Sequence, residues 1–139
     1  MNTYVIVHLS NLSVNTYYQA DEPNYGMFGG ENGNPQASVH LPVPEGLSWD
    51  VVKGQKDPET GEITLQEDPA KVQAKTQAQW SQLRSQRDTL LTASDWRVLP
   101  FAPLTPEAQQ AWVTYRQALR DLPGLTEDPT QVTWPQVPS

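Results

Sequence analysis

Two histidines, no cysteine and sixteen carboxylates are the chemical resources of this chain. His8 lies inside the apolar run Tyr4-Val5-Ile6-Val7-His8-Leu9 and reads as a structural histidine, while His40 has no partner near it in sequence. Two histidines without cysteine build no typical zinc site unless carboxylates join them. Asp57, Glu59, Glu62, Glu67 and Asp68 cluster in sequence, and Asp57-x-Glu59-x-Gly61-Glu62 has a faint calcium-loop look. It lacks the twelve-residue pattern of alternating oxygen ligands closed by a glutamate, so it reads as a solvated turn. Asp95 and Glu107 are the best placed carboxylates of the C-terminal half. Acid–base catalysis needs a second group at a set distance in a cleft, and nothing in the spacing supplies one. No glycine-rich phosphate loop or nucleophile elbow is present. The expectation is no catalytic residue, no metal and no cofactor.

The aromatic residues carry more information. Trp80, Trp96, Trp112, Tyr115 and Trp134 fall in the second half, and Trp96 and Trp134 flank Pro-rich, non-helical segments. They fit two roles, the core of a two-helix unit or rings facing a partner. Two short helices cannot bury three tryptophans between them, and exposed Trp and Tyr are typical binding hot spots. At least one ring is therefore expected to face a partner or the N-terminal half.

Charge narrows the partner class. The net charge is −7, with ten acids against two lysines in residues 1–70 and six acids against seven bases in 71–139. All five arginines lie between Arg84 and Arg120, interleaved with acids. An acidic chain without a basic stripe is a poor nucleic-acid binder. The longest strongly apolar run, Tyr4 to Leu9, falls far short of the roughly 20 residues of a membrane helix. The N-terminus has no basic region or cleavage site of a signal peptide. With no cysteine to oxidise, the expected compartment is the cytosol, with no membrane partner.

These residues must be positioned by an α+β fold. Tyr4–Leu9 reads as a central strand buried on both faces, Val14–Gln19 as a second strand, and Ser38–Leu41 as an edge strand stopped by Pro42 and Pro44. Asp21–Pro35 is a long Gly/Asn loop carrying Tyr25, Met27 and Phe28, read either as a lid or as partner contacts. Ser48–Gln55 and Glu62–Glu67 flank Asp57-Pro58-Glu59-Thr60-Gly61, a hairpin signal. Residues 1–68 are thus expected to form a small antiparallel β-rich domain. Asp68-Pro69 opens a helix over about 70–93, with Val72, Thr76, Trp80, Leu83, Arg87 and Leu90/Leu91 on one stripe. Thr105-Pro106-Glu107 opens a second, with Ala108, Ala111/Trp112, Tyr115, Ala118/Leu119 and Leu122 on its stripe, and Pro123-Gly124 expected to end it. Arg116 and Arg120 are expected to favour its C-terminal dipole. Residues 69–139 are expected to form a two-helix hairpin with an extended Pro-rich tail.

The C-terminal half reads Arg87-Asp88-x-Leu90-Leu91, Asp95-Trp96, Leu99-Pro100, Leu104-Thr105-Pro106-Glu107, Trp112, Tyr115-Arg116-x-Ala118-Leu119-Arg120-Asp121-Leu122, then Pro129, Val132, Trp134-Pro135 and Pro138. Over roughly residues 80–139 this resembles the phage tail fibre assembly chaperones (tail assembly chaperone family). The resemblance implies a small, non-enzymatic phage protein that helps a tail fibre fold, trimerise or attach. The implied partner is a phage tail fibre protein, itself expected to be trimeric. The implied place is the host cytoplasm during assembly, with retention in the virion tail as the alternative. Partner binding is assigned to Trp96, Leu99, Pro100, Leu104, Trp112, Tyr115, Arg116, Leu119 and Trp134. Two other roles compete: a structural virion component such as a fibre adaptor or cap, and a glycan-binding accessory using the Tyr25–Phe28 loop.

Overall fold

The computed structural model describes residues 1–23 and 38–139. The loop residues Tyr25, Met27 and Phe28 lie outside that range. Among the described residues five strands precede two α-helices, so the α+β expectation holds. The chain divides into two compact units, Met1–Lys75 and Thr76–Ser139. The first helix starts at Pro69, the first residue of the expected second domain.

In the first unit, β1 (Asn2–His8) is the centre of a three-stranded antiparallel sheet of order β2-β1-β3. Its partners are β2 (Val14–Ala20) and β3 (Ser38–Pro42), with Tyr4 opposite both Tyr18 and Pro42. Successive side chains of a strand point to opposite faces, and both faces of β1 are buried. Val5 and Val7, each 0% exposed, join Val14 and Val52 in one cluster, while Tyr4, Ile6 and Tyr18 make the other. Each fully buried valine contributes roughly 1.5–3 kcal/mol. The position of β3 at the sheet edge agrees with its prolines, which cannot donate to a further ladder.

β4 (Val52–Lys56) and β5 (Ile63–Glu67) form a separate two-stranded sheet rather than extending the first. The Asp57 carboxylate accepts from the Glu59 and Thr60 amides at 2.7 and 2.9 Å, and Gly61 takes φ +76° to close the turn. The strand expected from Ser48 starts later, because Trp49–Val51 is a 3-10 turn closed by the Val51 amide on the Ser48 carbonyl. The Trp49 ring stacks on Tyr17 at 4.3 Å, which fixes that turn against β2.

Helix α1 spans Pro69–Ser94. The Asp68 carboxylate accepts from the Ala70 amide at 3.1 Å, an N-terminal cap of the expected kind. Its first turns belong to the first unit, where Lys71 donates to the Val52 carbonyl at 2.8 Å and Lys75 pairs with Asp50 at 2.8 Å. Along the expected stripe Leu83 is buried and Trp80, Leu90 and Leu91 are half-buried.

Helix α2 spans Pro106–Leu125, opened by Thr105 Oγ1, which accepts from the Ala108 amide at 3.2 Å. Pro123 and Gly124 were expected to end it, yet both lie inside the helix. Proline forfeits one amide and crowds the carbonyl four residues back. Here it stands in the last turn, where the Thr126 hydroxyl donates to the Leu122 carbonyl at 2.7 Å. The second unit's core is Trp112, Tyr115 and Leu119, against which Leu90, Leu91, Val98, Leu104 and Trp134 pack. The tail beyond α2 therefore returns to the hairpin through Trp134.

Candidate partner-binding site

The link from α1 to α2 starts with an unusual helix end. The last carbonyls of a helix have no partner within it. Ser94 Oγ folds back onto the carbonyls of Leu90 and Leu91, at 2.8 and 3.1 Å. Arg116 reaches over from α2, where Nη1 donates to the Leu91 carbonyl and to Ser94 Oγ, and Nη2 to the Asp95 carboxylate at 2.6 Å. The Arg116 side chain is buried, and Asp95 stays largely exposed. The expectation that Arg116 serves the C-terminal dipole of its own helix is corrected, because it caps α1 instead. Its sequence position gave no sign of this, since the capped carbonyl lies 25 residues away.

Residues 95–98 form a 3-10 turn. It lays the Arg97 guanidinium over two rings, 4.5 Å from the centroid of Trp96 and 4.1 Å from that of Trp112. A cation over an indole face is attracted by the ring quadrupole. This stack holds Trp96 in place although 44% of its surface is exposed. Next come two tight turns, with the Ala102 amide on the Leu99 carbonyl at 3.1 Å and the Leu104 amide on the Ala102 carbonyl at 2.8 Å. Gln109 of α2 donates its side-chain amide to the same Leu99 carbonyl at 2.8 Å.

The nine residues assigned to partner binding separate into three sets. Trp112, Tyr115, Arg116 and Leu119 are buried in the core of the second unit. Leu104 and Trp134 are half-buried and pack on that core. Trp96, Leu99 and Pro100 are exposed at the connector. Phe101, directly after Pro100 and outside the assigned set, is 97% exposed. Its flanking prolines, Pro100 and Pro103, were the available signal. A second surface is formed by α2 and the tail. There Val113, Leu122 and Leu125 of α2 face Trp134 and Pro135 of the tail across an open groove of 670 Å³.

The candidate chemical residues are accounted for differently. Asp95 is engaged by Arg116, and Glu107 is exposed in the first turn of α2. In the first unit, His40 Nδ1 lies 2.8 Å from the Tyr18 hydroxyl, and burial holds its pKa below the usual histidine value. His8 Nδ1 is buried and has no hydrogen-bond partner among the described residues. The Asp57 carboxyl is held below its ordinary value by the Thr60 and Glu59 amides, so its oxygens serve the turn. Among the described residues no group of three or more potential ligands could hold a metal ion. Among them, too, no helix is long and apolar enough to cross a membrane.

No curated protein and no solved structure matches the chain. The part that contains α1 from Trp80 onward, the connector, α2 and the tail does match a family model: residues 80–139 are matched by that of the phage tail assembly chaperone protein family.

Proposed function

We propose that this chain is a non-enzymatic assembly chaperone that binds a phage tail fibre protein and promotes its folding, trimerisation or attachment. The observation that carries the reading is the match of residues 80–139 to the tail assembly chaperone family. It supports work in tail assembly, and the fibre as client is the finer step proposed here. The physics agrees with it. Fibres built from long β-rich chains depend on slow, non-local pairing, and their intermediates expose edges that aggregate. A small acidic protein with an ordered, partly apolar hairpin surface suits the shielding of such intermediates.

The test is co-expression of the fibre chain of the same phage with and without this protein, followed by light scattering on the soluble fraction. A soluble fibre trimer that forms only when this protein is present supports the reading. The mass of the complex then shows whether the protein stays bound. Equal trimerisation without it, and no complex, would remove the reading.

A further inference from the structure

We propose that the turn Leu99-Pro100-Phe101-Ala102 is the docking knuckle of this protein, with Phe101 as the anchor that enters an uncharged apolar pocket on the tail protein it serves. This rests on the functional reading above and adds to it the surface and the chemistry of the contact.

The first reason is exposure. Among the described residues Phe101 is the most exposed large apolar side chain, at 97%, with Leu99 at 55% and Trp96 at 44% close by in sequence. Single exposed apolar residues are ordinary, whereas several in one short segment mark an interaction site. The second is rigidity. Pro100 fixes its own φ, and the Ala102 amide closes the turn on the Leu99 carbonyl at 3.1 Å. Gln109 ties that carbonyl to α2 at 2.8 Å. Leu12 is the only described non-glycine residue with positive φ, so Phe101 sits at the second central position of an unstrained turn. A backbone already ordered loses less freedom on binding.

The third reason is the division of labour within the connector. Val98 and Leu104 pack inward on the Trp112 cluster, leaving Trp96, Leu99 and Phe101 outward. The fourth is charge. Residues 98–106 carry no ionisable side chain, and the flanking Arg97 charge is spread over two indole faces. A matching pocket is therefore apolar and uncharged, because a buried unpaired charge opposite this turn would be costly. The fifth is place. The connector lies inside residues 80–139, the part matched to tail assembly chaperones.

The experiment measures binding of the same phage's fibre chain to the full-length protein and to Phe101→Ala and Phe101→Leu. The expected loss for Phe101→Ala is about thirtyfold or more, as for a hot-spot residue, with Phe101→Leu retaining more of the affinity. Both variants should melt at the wild-type temperature, and wild-type binding should survive ionic strength of about 1 M, where exposed charges are screened within ~3 Å. Binding of Phe101→Ala within twofold of wild type overturns the knuckle and leaves the chaperone reading standing. No binding by the wild type removes both. Unfolding of Phe101→Ala would contradict its exposure and overturn the inference. A chain that self-associates alone, and becomes monomeric on Phe101→Ala, would assign the knuckle to a second copy and overturn the proposal.

Discussion

Arg116 Nη1 donates to the Ser94 hydroxyl at 2.9 Å, joining the middle of α2 to the last residue of α1. The guanidinium satisfies the helix end and the Asp95 carboxylate together, so two questions separate: what the ion pair contributes, and what the cap contributes. Asp95 is 62% exposed, so water already solvates it. Asp95→Asn should therefore cost less than about 1 kcal/mol, as for an exposed pair. Arg116→Ala leaves buried polar groups without their charged donor and should cost roughly 1.5–3 kcal/mol. Arg116→Lys should recover only part of that, because an ammonium lacks the planar fork. Urea midpoints for the three variants check the order, and equal losses for Asp95→Asn and Arg116→Ala would refute it.

Trp112→Ala should destabilise the second unit by about 3–5 kcal/mol, the range for deleting a buried large side chain. Trp96→Ala should change stability by no more than about 1 kcal/mol, since it loses one exposed face of the Arg97 stack. Thermal melts of the two variants make the comparison. An unchanged melting temperature for Trp112→Ala would contradict its burial.

A methyl group at Gly54 would lie 2.6 Å from Val7 Cγ1 and 3.0 Å from the Leu12 carbonyl oxygen. Val7 is 0% exposed and, being β-branched, has little rotamer freedom. Gly54→Ala should cost about 1–3 kcal/mol by overpacking. Adding Val7→Ala should relieve part of the strain, so the double variant should be more stable than the sum of single losses predicts. Strict additivity would show that the valine is not what the methyl meets.

Burial lowers the His40 pKa from 6.5, so as pH falls the unfolded chain takes up the proton before the folded one does. The stability this contributes is complete above pH 6.5, declines in the window below it, and levels off once both states are protonated. The depressed carboxyls of Asp50, Asp57 and Asp128 act lower, their contributions fading only as pH falls below 3.8. Melting temperature should thus fall as pH drops below 6.5 in the wild type. His40→Phe should flatten that slope whatever it does to the plateau, and an unchanged slope would clear His40 of the effect.

Much of this architecture is legible in the sequence because local signals agree with the tertiary result. Tyr4-Val5-Ile6-Val7 alternates side chains that both faces of the sheet bury. Asp57 and Gly61 make a turn from residues three or four positions apart, and Thr105-Pro106 caps α2 with its own side chain. Where the reading failed, a distant group decided the outcome. Trp49 leaves the strand for a 3-10 turn and stacks on Tyr17. Pro123 stays helical as the Thr126 hydroxyl serves the last turn. Arg116 turns away from its own helix end because the α1 end needs a donor. At the site, the aromatic residues announced a surface, but periodicity alone could not sort Trp112, which is core, from Trp96, which is exposed. Phe101 was missed since a lone aromatic between prolines has no periodic partner.

The core of the second unit gathers residues 90 to 134, joined by one short connector and one returning tail. Closing such short loops takes little entropy, and helix pairs built on local contacts reach their native state in microseconds to milliseconds. Strand-rich chains with distant pairings need milliseconds to seconds. Under the proposed function, a hairpin that folds this fast is in its final shape while a strand-rich client is still searching, so the surface it would present is finished before there is anything to hold.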